Sequence, residues 1–380
     1  MQNQIPDNWQ LKKLTQLGEL NRGRSRHRPR DARILYGGPY PFIQTGDVKA
    51  SGGRITSYSQ TYSENGLKQS RMWPVNTICI TIAANIADLG KLTFPACFPD
   101  SVIGFLADEE KSDPDFILYS LQYLKRNIQS YAIGSAQDNI NLGTFENVLV
   151  PTPPLSIQKK ISRILAALDE KIEVNNKISK TLEEMAQTFF KKWFSSNEGT
   201  KYSLLDIANY INGGAFGKIT NRMKKGLPLI KIADLNRGVS DNTEWIDKKV
   251  DDKYYIQNGD LLFSWSGTVD LYIWDKDKAI LNQHIFNVVP TSDFSKGFIY
   301  FLLKSKLKFF QQQAGAKATT MGHIKKEHLK EQNIFISDNK NINIFDVTYR
   351  TMISLKLENQ KLTALRDLLL PKLMKGEITI

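Results

Sequence analysis

The helix-forming stretch Ser156-Ile-Gln-Lys-Lys-Ile-Ser-Arg-Ile-Leu-Ala-Ala-Leu168 begins an apolar repeat that continues to Phe189. Its apolar positions recur mostly at three- and four-residue steps, and neither glycine nor proline interrupts the chain before Gly199. This period predicts a single amphipathic helix of roughly 38 residues, about 57 Å long at 1.5 Å per residue. The side chains expected to pack it against a partner helix are Ile161, Ile164, Leu168, Asn175, Ile178 and Leu182.

A second helix with the same pattern closes the chain. Its apolar positions run from Phe345 to Leu369, and we expect it to stop at Pro371. The side chains expected to pack this helix are Met352, Leu355, Asn359 and Leu362. Because a long helix must bury its apolar stripe, the two helices are predicted to pair as an antiparallel coiled coil, which makes a rigid spacer.

Each helix carries one asparagine at the same point of its repeat, Asn175 in the first and Asn359 in the second. A polar pair buried in an apolar seam fixes the register of two helices at some cost in stability. The other interpretation is that both amides face water. The sequence alone leaves both interpretations open.

The chain also repeats itself weakly, with a period of about 185 residues. Four pairs of segments recur in the same order: Phe42–Val48 with Leu229–Leu235, Val75–Thr81 with Asn258–Ser264, Phe116–Tyr119 with Phe298–Phe301, and Gly134–Gln137 with Ala316–Thr319. The shared order argues against chance as the source of the repeat. It predicts two similar domains in one chain, each followed by one of the long helices.

Before each long helix, short β-rich runs alternate with Gly, Asn, Asp and Pro. The predicted strands are Phe42–Val48, Thr77–Ala83, Val102–Leu106, Leu229–Leu235, Asp260–Ser264 and Ile285–Val289. Helices are predicted over Pro114–Ser130 and Ser295–Gln313. We therefore expect an α+β fold, with two similar mixed α/β domains separated by the antiparallel coiled coil.

Composition narrows the classes of function. The chain has 51 Lys and Arg against 39 Asp and Glu, and its net charge of +12 favours a polyanionic partner. Its two cysteines, Cys79 and Cys97, lie in apolar surroundings and are expected to be buried, reduced thiols. No signal peptide and no apolar run of about 18 residues is visible, so we expect a soluble, cytoplasmic protein without a membrane partner.

Searches for catalytic motifs find none. The chain has no Gly-x-x-x-x-Gly-Lys-Ser/Thr loop, no Asn/Asp-Pro-Pro-Tyr/Phe tetrapeptide, and no His and Cys at the spacing of a metal site. We expect neither a catalytic residue nor a metal or cofactor in this chain. The alternative is an enzyme that modifies or cleaves DNA with an active site that no motif reveals.

Two basic segments are the strongest candidates for contact with nucleic acid. The first, Asn21–Arg30 with Arg33, carries six arginines, whose guanidinium groups suit guanine edges and phosphates: Arg22, Arg24, Arg26, Arg28, Arg30 and Arg33. The second is glycine-rich and carries Lys218, Arg222, Lys224 and Lys225. The alternative interpretation is a mobile, solvated basic loop in the first case and simple turns in the second.

Polar side chains able to bond base edges cluster after the predicted helix of each domain. They are Gln137, Asn139 and Asn141 in the first domain, and Lys317, Thr319, Thr320 and His323 in the second. Asn and Gln bond an adenine edge through two hydrogen bonds. The same side chains are equally suited to capping the loops in which they lie.

Three further segments carry a family resemblance. They are Ile5-Pro-Asp-Asn-Trp9, Val150-Pro-Thr-Pro-Pro-Leu-Ser-Ile-Gln158 and Leu368-Leu-Leu-Pro-Lys-Leu-Met-Lys-Gly-Glu-Ile378, and with Gly134-Ser-Ala-Gln-Asp-Asn-Ile-Asn141 they cover both ends and the middle of the chain. Together they resemble the specificity (S) subunits of type I restriction-modification systems.

The resemblance implies a division of labour. Each globular domain reads one half of a split, asymmetric site in double-stranded DNA, and the helices set the gap and dock two methyltransferase subunits. Motor-nuclease subunits join that complex, and S-adenosylmethionine, ATP and Mg belong to the partners. The expected segments are recognition domain 1 over 1–155, spacer helix 1 over 156–196, recognition domain 2 over 197–337, and spacer helix 2 with the C-terminus over 338–380. A coiled-coil scaffold that only joins proteins is the remaining alternative.

Overall fold

The chain folds as two compact units, the first formed by Met1–Glu170 with Leu362–Ile380 and the second by Lys171–Lys361. The computed structural model describes residues 5–83, 87–133, 141–195, 198–291, 293–315, 324, 326–337, 342–378 and 380. Each unit contains one globular part and a portion of each of two long helices.

In the first unit the strands are β1 (Gln10–Lys13), β2 (Gly18–Arg22), β3 (Tyr36–Phe42), β4 (Arg54–Ile55), β5 (Gln60–Tyr62), β6 (Ile78–Thr81), β7 (Leu89–Leu92), β8 (Val102–Ala107) and β9 (Leu149–Thr152). The helices are α1 (Leu14–Leu17), α2 (Thr45–Ala50), α3 (Glu64–Lys68), α4 (Pro114–Ile133), α5 (Leu142–Glu146) and α6 (Leu155–Trp193), which continues into the second unit.

The first unit is built on a five-stranded sheet of order β2-β8-β6-β7-β4. Its pairs are antiparallel except β4 with β7. Successive side chains of a strand point to opposite faces, and both faces of β6 are buried. Ile78 and Ile80 therefore pack in one core with Phe116 of α4, while Cys79 packs in another with Trp73 and other apolar residues.

In the second unit the strands are β10 (Thr200–Ser203), β11 (Ala208–Asn212), β12 (Leu227–Ile230), β13 (Trp245–Ile246), β14 (Tyr255–Ile256), β15 (Leu261–Ser264), β16 (Asp270–Ile273), β17 (Ala279–Leu281), β18 (Ile285–Pro290) and β19 (Asn333–Ile336). The helices are α7 (Leu204–Ile207), α8 (Ile232–Arg237), α9 (Lys296–Gly315), α10 (Lys326–Glu331) and α11 (Asn343–Met374), whose last part belongs to the first unit.

The second unit repeats the arrangement of the first. Two four-stranded sheets, of order β11-β18-β15-β16 and β13-β12-β17-β14, replace the five-stranded one. β11 pairs with β18 as β2 pairs with β8, and β10 pairs with β19 as β1 pairs with β9. The predicted strands over Thr77–Ala83, Val102–Leu106, Asp260–Ser264 and Ile285–Val289 are present as β6, β8, β15 and β18, and the predicted helices as α4 and α9.

Two predicted strands are wrong over most of their length. Phe42–Val48 ends the strand β3 at Phe42 and then forms α2, and Leu229–Leu235 leaves β12 at Ile230 and forms α8. An aspartate in each helix explains the change. A carboxylate oxygen of Asp47 accepts the Gln44 N–H at 2.8 Å, and one of Asp234 accepts the Lys231 N–H at 2.9 Å. These bonds satisfy backbone donors at the helix start, and they outweigh the β-propensity of the apolar neighbours.

The two long helices contact each other within each unit, and in the second unit their contacts show that they run antiparallel. In the second unit Asn175 of α6 bonds to Asn359 of α11, and further along α6 the ring of Phe190 lies 5.2 Å from that of Phe345. In the first unit Asp169 accepts a hydrogen bond from the Arg366 guanidinium at 2.8 Å. Moving forward along one helix therefore means moving backward along the other.

The second helix does not stop at Pro371 but continues to Met374. Gly376, with φ of +69°, ends it instead. The Gly376 N–H donates to the Leu373 carbonyl at 3.1 Å, and the Glu377 N–H to the Lys372 carbonyl at 2.9 Å. This is the Schellman pattern of a glycine-terminated helix. A proline that close to a helix end removes only one backbone hydrogen bond, and the side chains of Leu373 and Met374 are buried in the core of the first unit.

The predicted packing positions divide into three groups. Ile161, Asn175 and Met352 are buried, whereas Leu168, Leu182, Leu355, Asn359 and Leu362 are half-buried. Ile164 and Ile178 remain 38% and 42% exposed, so neither is among the buried positions. The more buried side of α6 includes the predicted Asn175 and Leu182 and adds Leu165, Ser179, Ala186 and Phe190. Ser179 and Ala186 are small, so a search for large apolar side chains did not select them.

Candidate nucleic-acid interface

In the first unit Arg22 ends β2, and the other five arginines follow on a segment whose backbone is fixed at its start. The Gly23 N–H donates to the Val102 carbonyl at 2.8 Å, and the Arg24 N–H to the Phe98 carbonyl at 2.9 Å. A side chain at Gly23 would put its Cβ 2.3 Å from the Pro99 carbonyl oxygen, so only glycine fits this approach.

Further along, side chains of the following helix region continue to hold the segment. The side-chain oxygen Oε1 of Gln69 accepts from the Arg26 N–H at 2.5 Å and from the His27 N–H at 2.9 Å. The Ser70 hydroxyl donates to the Arg24 carbonyl at 2.8 Å. Gly23 and Ser25 are buried while Arg22, Arg24 and Arg26 are exposed. The segment is thus a fixed array that presents alternate arginines to solvent.

The arginines of this array differ in their own contacts. Arg28 donates to the carbonyls of Ser25 and His27 at 2.8 Å each, and Arg30 forms an ion pair with Asp100 at 2.7 Å. Arg22, Arg24, Arg26 and Arg33 form neither an ion pair nor a side-chain hydrogen bond with any residue that the structure describes. Four guanidinium groups are therefore available to an anionic ligand without the loss of an internal contact.

An open groove lies beside the array. It is lined by Arg30, Asp31, Arg33, Tyr36, Gly37, Gln44 and Gln60. The Gln44 amide nitrogen donates to the Gln60 amide oxygen at 2.6 Å, which orients both amides. Sequence reasoning missed Tyr36, Gln44 and Gln60, because they come from separate elements that only the pairing of β3 with β5 brings to one place.

Ionisable side chains near these strands keep ordinary roles. The Arg71 guanidinium bonds both carboxylate oxygens of Glu19, at 2.7 and 3.1 Å, and this contact lowers the pKa of Glu19. Burial raises the pKa of the Cys79 and Cys97 thiols, so both stay protonated and unreactive.

In the second unit the glycine-rich segment leaves β11 in the same way. The Gly213 N–H donates to the Ile285 carbonyl at 3.1 Å and the Gly214 N–H to the Leu281 carbonyl at 2.9 Å. The expected cations Lys218, Arg222, Lys224 and Lys225 are all exposed. Among the residues that the structure describes, Lys224 pairs with Asp241 at 2.7 Å and Lys225 with Asp247 at 3.9 Å, while Lys218 and Arg222 form no ion pair.

Most of the polar residues expected after α4 and α9 lie outside the described residues. These are Gln137, Asn139, Lys317, Thr319, Thr320 and His323. Asn141 is described, and its side-chain oxygen accepts from the Thr144 N–H at 3.1 Å. It therefore caps α5, as one of the two interpretations of its sequence position requires.

Across the described ranges, no three His, Cys, Asp or Glu side chains lie close enough together to hold a metal ion. Over the same residues, no helix combines the length and the apolar character needed to cross a membrane.

The geometry defines a class of protein. Two units of the same design each present exposed cations on a backbone segment fixed to the end of a sheet strand, which is the arrangement of a protein that contacts a polyanion through repeated modules.

The chain belongs to the family of type I restriction-modification DNA specificity domains. The family's sequence model matches twice, over residues 6–184 and 197–364. It is a specificity subunit: it recognises the DNA target, and methylation and cleavage belong to other subunits of the complex.

Individual relatives agree with the family match. The chain is 26% identical over 330 residues to the HindI specificity subunit of Haemophilus influenzae, covering 63% of this chain and 71% of the relative. It is 23% identical over 424 aligned positions to the MjaIX specificity subunit of Methanocaldococcus jannaschii, covering 99% and 95%. The crystal structure of an S subunit from M. genitalium shares the fold, with a TM-score of 0.57 at 17% identity, over 98% of this chain and 97% of that one.

Proposed function

We propose that this chain binds a bipartite, asymmetric site in double-stranded DNA, with each unit contacting one half. The proposal rests on one observation: the two units repeat the same backbone contacts but carry different side chains there. Gly23 and Gly213 make the same strand-end contact, yet arginines surround the first and glycines with lysines follow the second. Modules that share a frame but differ in their contacting groups select different half-sites.

Exposed cations supply affinity in this proposal, and polar groups beside them supply specificity. Lys and Arg neutralise phosphates whatever the sequence. Base edges are distinguished by directed hydrogen bonds in the grooves. In the first unit the Gln44 and Gln60 amides lie in the same groove as Arg30 and Arg33, so phosphate and base contacts lie within reach of one ligand.

The exposed apolar residues of the long helices are the proposed docking surfaces for two methyltransferase subunits. In the second unit, α6 leaves Val174, Ile178, Met185 and Phe189 between 40% and 52% exposed. In the first unit, Ile164, Leu365 and Leu368 are 38% to 57% exposed. Apolar side chains clustered along a helix mark a surface that a partner covers. Each unit carries one such surface, which suits one methyltransferase copy apiece.

The remaining parts of the proposal concern the complex. S-adenosylmethionine, ATP and Mg act on the partner subunits, and motor-nuclease subunits join the methyltransferase complex when DNA is cleaved. The complex works in the cytoplasm, where the chromosome is.

Mapping of methylated adenines in the source genome, with and without this gene, tests the proposal. We expect one bipartite motif to lose its methylation when the gene is deleted. An unchanged methylome refutes the assignment. Incubation of the purified chain with DNA, Mg²⁺ and S-adenosylmethionine addresses the enzyme alternative, since turnover by the chain alone favours that alternative. The scaffold alternative predicts a different result, because a chain without sequence-selective binding leaves no methylated motif that depends on its gene.

A further inference from the structure

The two units share a backbone frame at the ends of their central strands, and this frame allows residue-by-residue comparison. In the first unit the Gly23, Arg24 and Ile82 N–H groups donate to the carbonyls of Val102, Phe98 and Ser101. In the second unit the Gly213, Gly214 and Trp265 N–H groups donate to those of Ile285, Leu281 and His284. Strand register agrees, because Arg22 faces Ile103 and Asn212 faces Phe286.

Equivalent positions in this frame carry different chemistry. Asn212 stands where the first unit has Arg22, and Gln283 stands where it has Asp100. Both Asn212 and Gln283 are exposed. The first unit therefore presents a charged pair of positions at this strand end, whereas the second presents two neutral amides.

Internal hydrogen bonds orient both amides. The Trp265 indole N–H donates to the Asn212 side-chain oxygen at 2.9 Å, so the Asn212 NH₂ group is left facing outward as a donor. The Gln283 side-chain nitrogen lies 3.3 Å from Nε2 of His284. Because an amide nitrogen only donates, the imidazole accepts this bond.

The second side-chain N–H and the side-chain oxygen of Gln283 form no hydrogen bond with any residue that the structure describes. An adjacent donor and acceptor on one amide match N7 and the N6 amino group of adenine in the major groove. The Asn212 NH₂ supplies a further donor, which suits O4 of the paired thymine. The donor and acceptor of Gln283 do not match guanine O6 and N7, which need two donors side by side.

Resting on the proposed function, we infer that Asn212 and Gln283 are base-reading residues of the second unit and select an A·T pair in its half-site. Gln283 is the specificity-determining residue. His284 and Trp265 are positioning residues, which hold the two amides in their reading orientation. The first unit reads its own half-site at the equivalent strand end through arginines.

The test uses the complete complex of this chain with its methyltransferase partner in a host whose methylated adenines are mapped. Gln283→Ala is expected to relax discrimination at one A·T position of the second half-site by about tenfold, with the other half-site unchanged. Gln283→Arg, which places two parallel donors there, is expected to shift the preference at that position towards guanine. Both changes are on an exposed side chain, so folding is expected to be retained.

Gln257→Ala is the matched control. Gln257 is an exposed glutamine of the same unit, but it lies before β15, whereas Trp265, which orients Asn212, lies after that strand. If Gln283→Ala and Gln283→Arg both methylate the wild-type motif, the inference is overturned and the proposed function stands. Loss of discrimination in Gln257→Ala as well also overturns it, because the effect is then not local. A wild-type complex that methylates no defined motif overturns the proposed function itself.

Discussion

Removal of the free arginines from the first unit should change how DNA binding depends on salt. Arg22 and Arg24 are exposed, lie on a backbone fixed by Val102 and Phe98, and form no ion pair with the described residues. Their replacement by alanine removes two cations without breaking an internal contact. The double variant Arg22→Ala/Arg24→Ala should therefore fold normally and report on DNA contact alone.

The expected magnitude follows from counterion release. Each phosphate contact contributes about 0.9 to the slope of log affinity against log salt, so the loss of two contacts lowers the slope by about 1.8. Salt concentration rises fourfold between 50 and 200 mM. Over that range the ratio of wild-type to variant DNA affinity should therefore fall by about twelvefold.

The assay is fluorescence anisotropy of a labelled duplex with the assembled complex at several salt concentrations. Arg350→Ala/Lys361→Ala is the control, because it removes the same charge from exposed positions of α11 and opens, besides, only the ion pair of Arg350 with Asp346 within that helix. We expect the control to keep the wild-type slope. A double variant of Arg22 and Arg24 whose slope equals that of wild type shows that the array does not contact phosphate, and the argument for the first interface then fails.

Two further predictions concern the frame and the seam. Gly23→Ala forces a Cβ to within 2.3 and 2.4 Å of two backbone oxygens, so it should lower the melting temperature, at a cost of about 1–3 kcal/mol, and weaken DNA binding together; an unchanged melting curve contradicts the tight strand-end contact. Asn175→Ala removes a fully buried amide that bonds Asn359 and Glu358 at 2.9 and 2.8 Å, so it should lower the denaturant midpoint of the second unit by the equivalent of about 1–3 kcal/mol. Asn176→Ala removes an exposed amide that accepts one hydrogen bond from Asn359 at 2.9 Å, so it should have a smaller effect.

Features with a strong period were predictable from the sequence. α6 carries an uninterrupted helical repeat, and β6 and β8 are short apolar runs with β-branched residues that follow turn residues, which favours strands. The helices α2 and α8 were not predictable in this way. Their apolar residues suit a strand, and a single aspartate accepting a backbone N–H in each starts a helix instead.

The sequence shows that the arginine segment is charged, but it does not show that the backbone of this segment is fixed. Nothing in the run of arginines shows that Gln69 and Ser70 hold its backbone, because these residues lie far along the chain. The groove residues Gln44 and Gln60 were missed for the same reason. Long-range pairing decides which polar side chains share a surface, and a pattern of local residue types does not record it.

The comparison of Arg22 with Asn212 shows most clearly what the sequence alone does not reveal. The loops between the strand end and the facing strand differ in length in the two units, so no single offset aligns both parts of the frame in the sequence. Matched backbone hydrogen bonds do align them, and they show that one fold presents charge in one unit and amides in the other. The backbone settles where a reading side chain stands, whereas only the residue type at that place decides which base it accepts. For that reason a substitution at Gln283 should alter the recognised sequence while a substitution at Gly23 should disturb the fold itself.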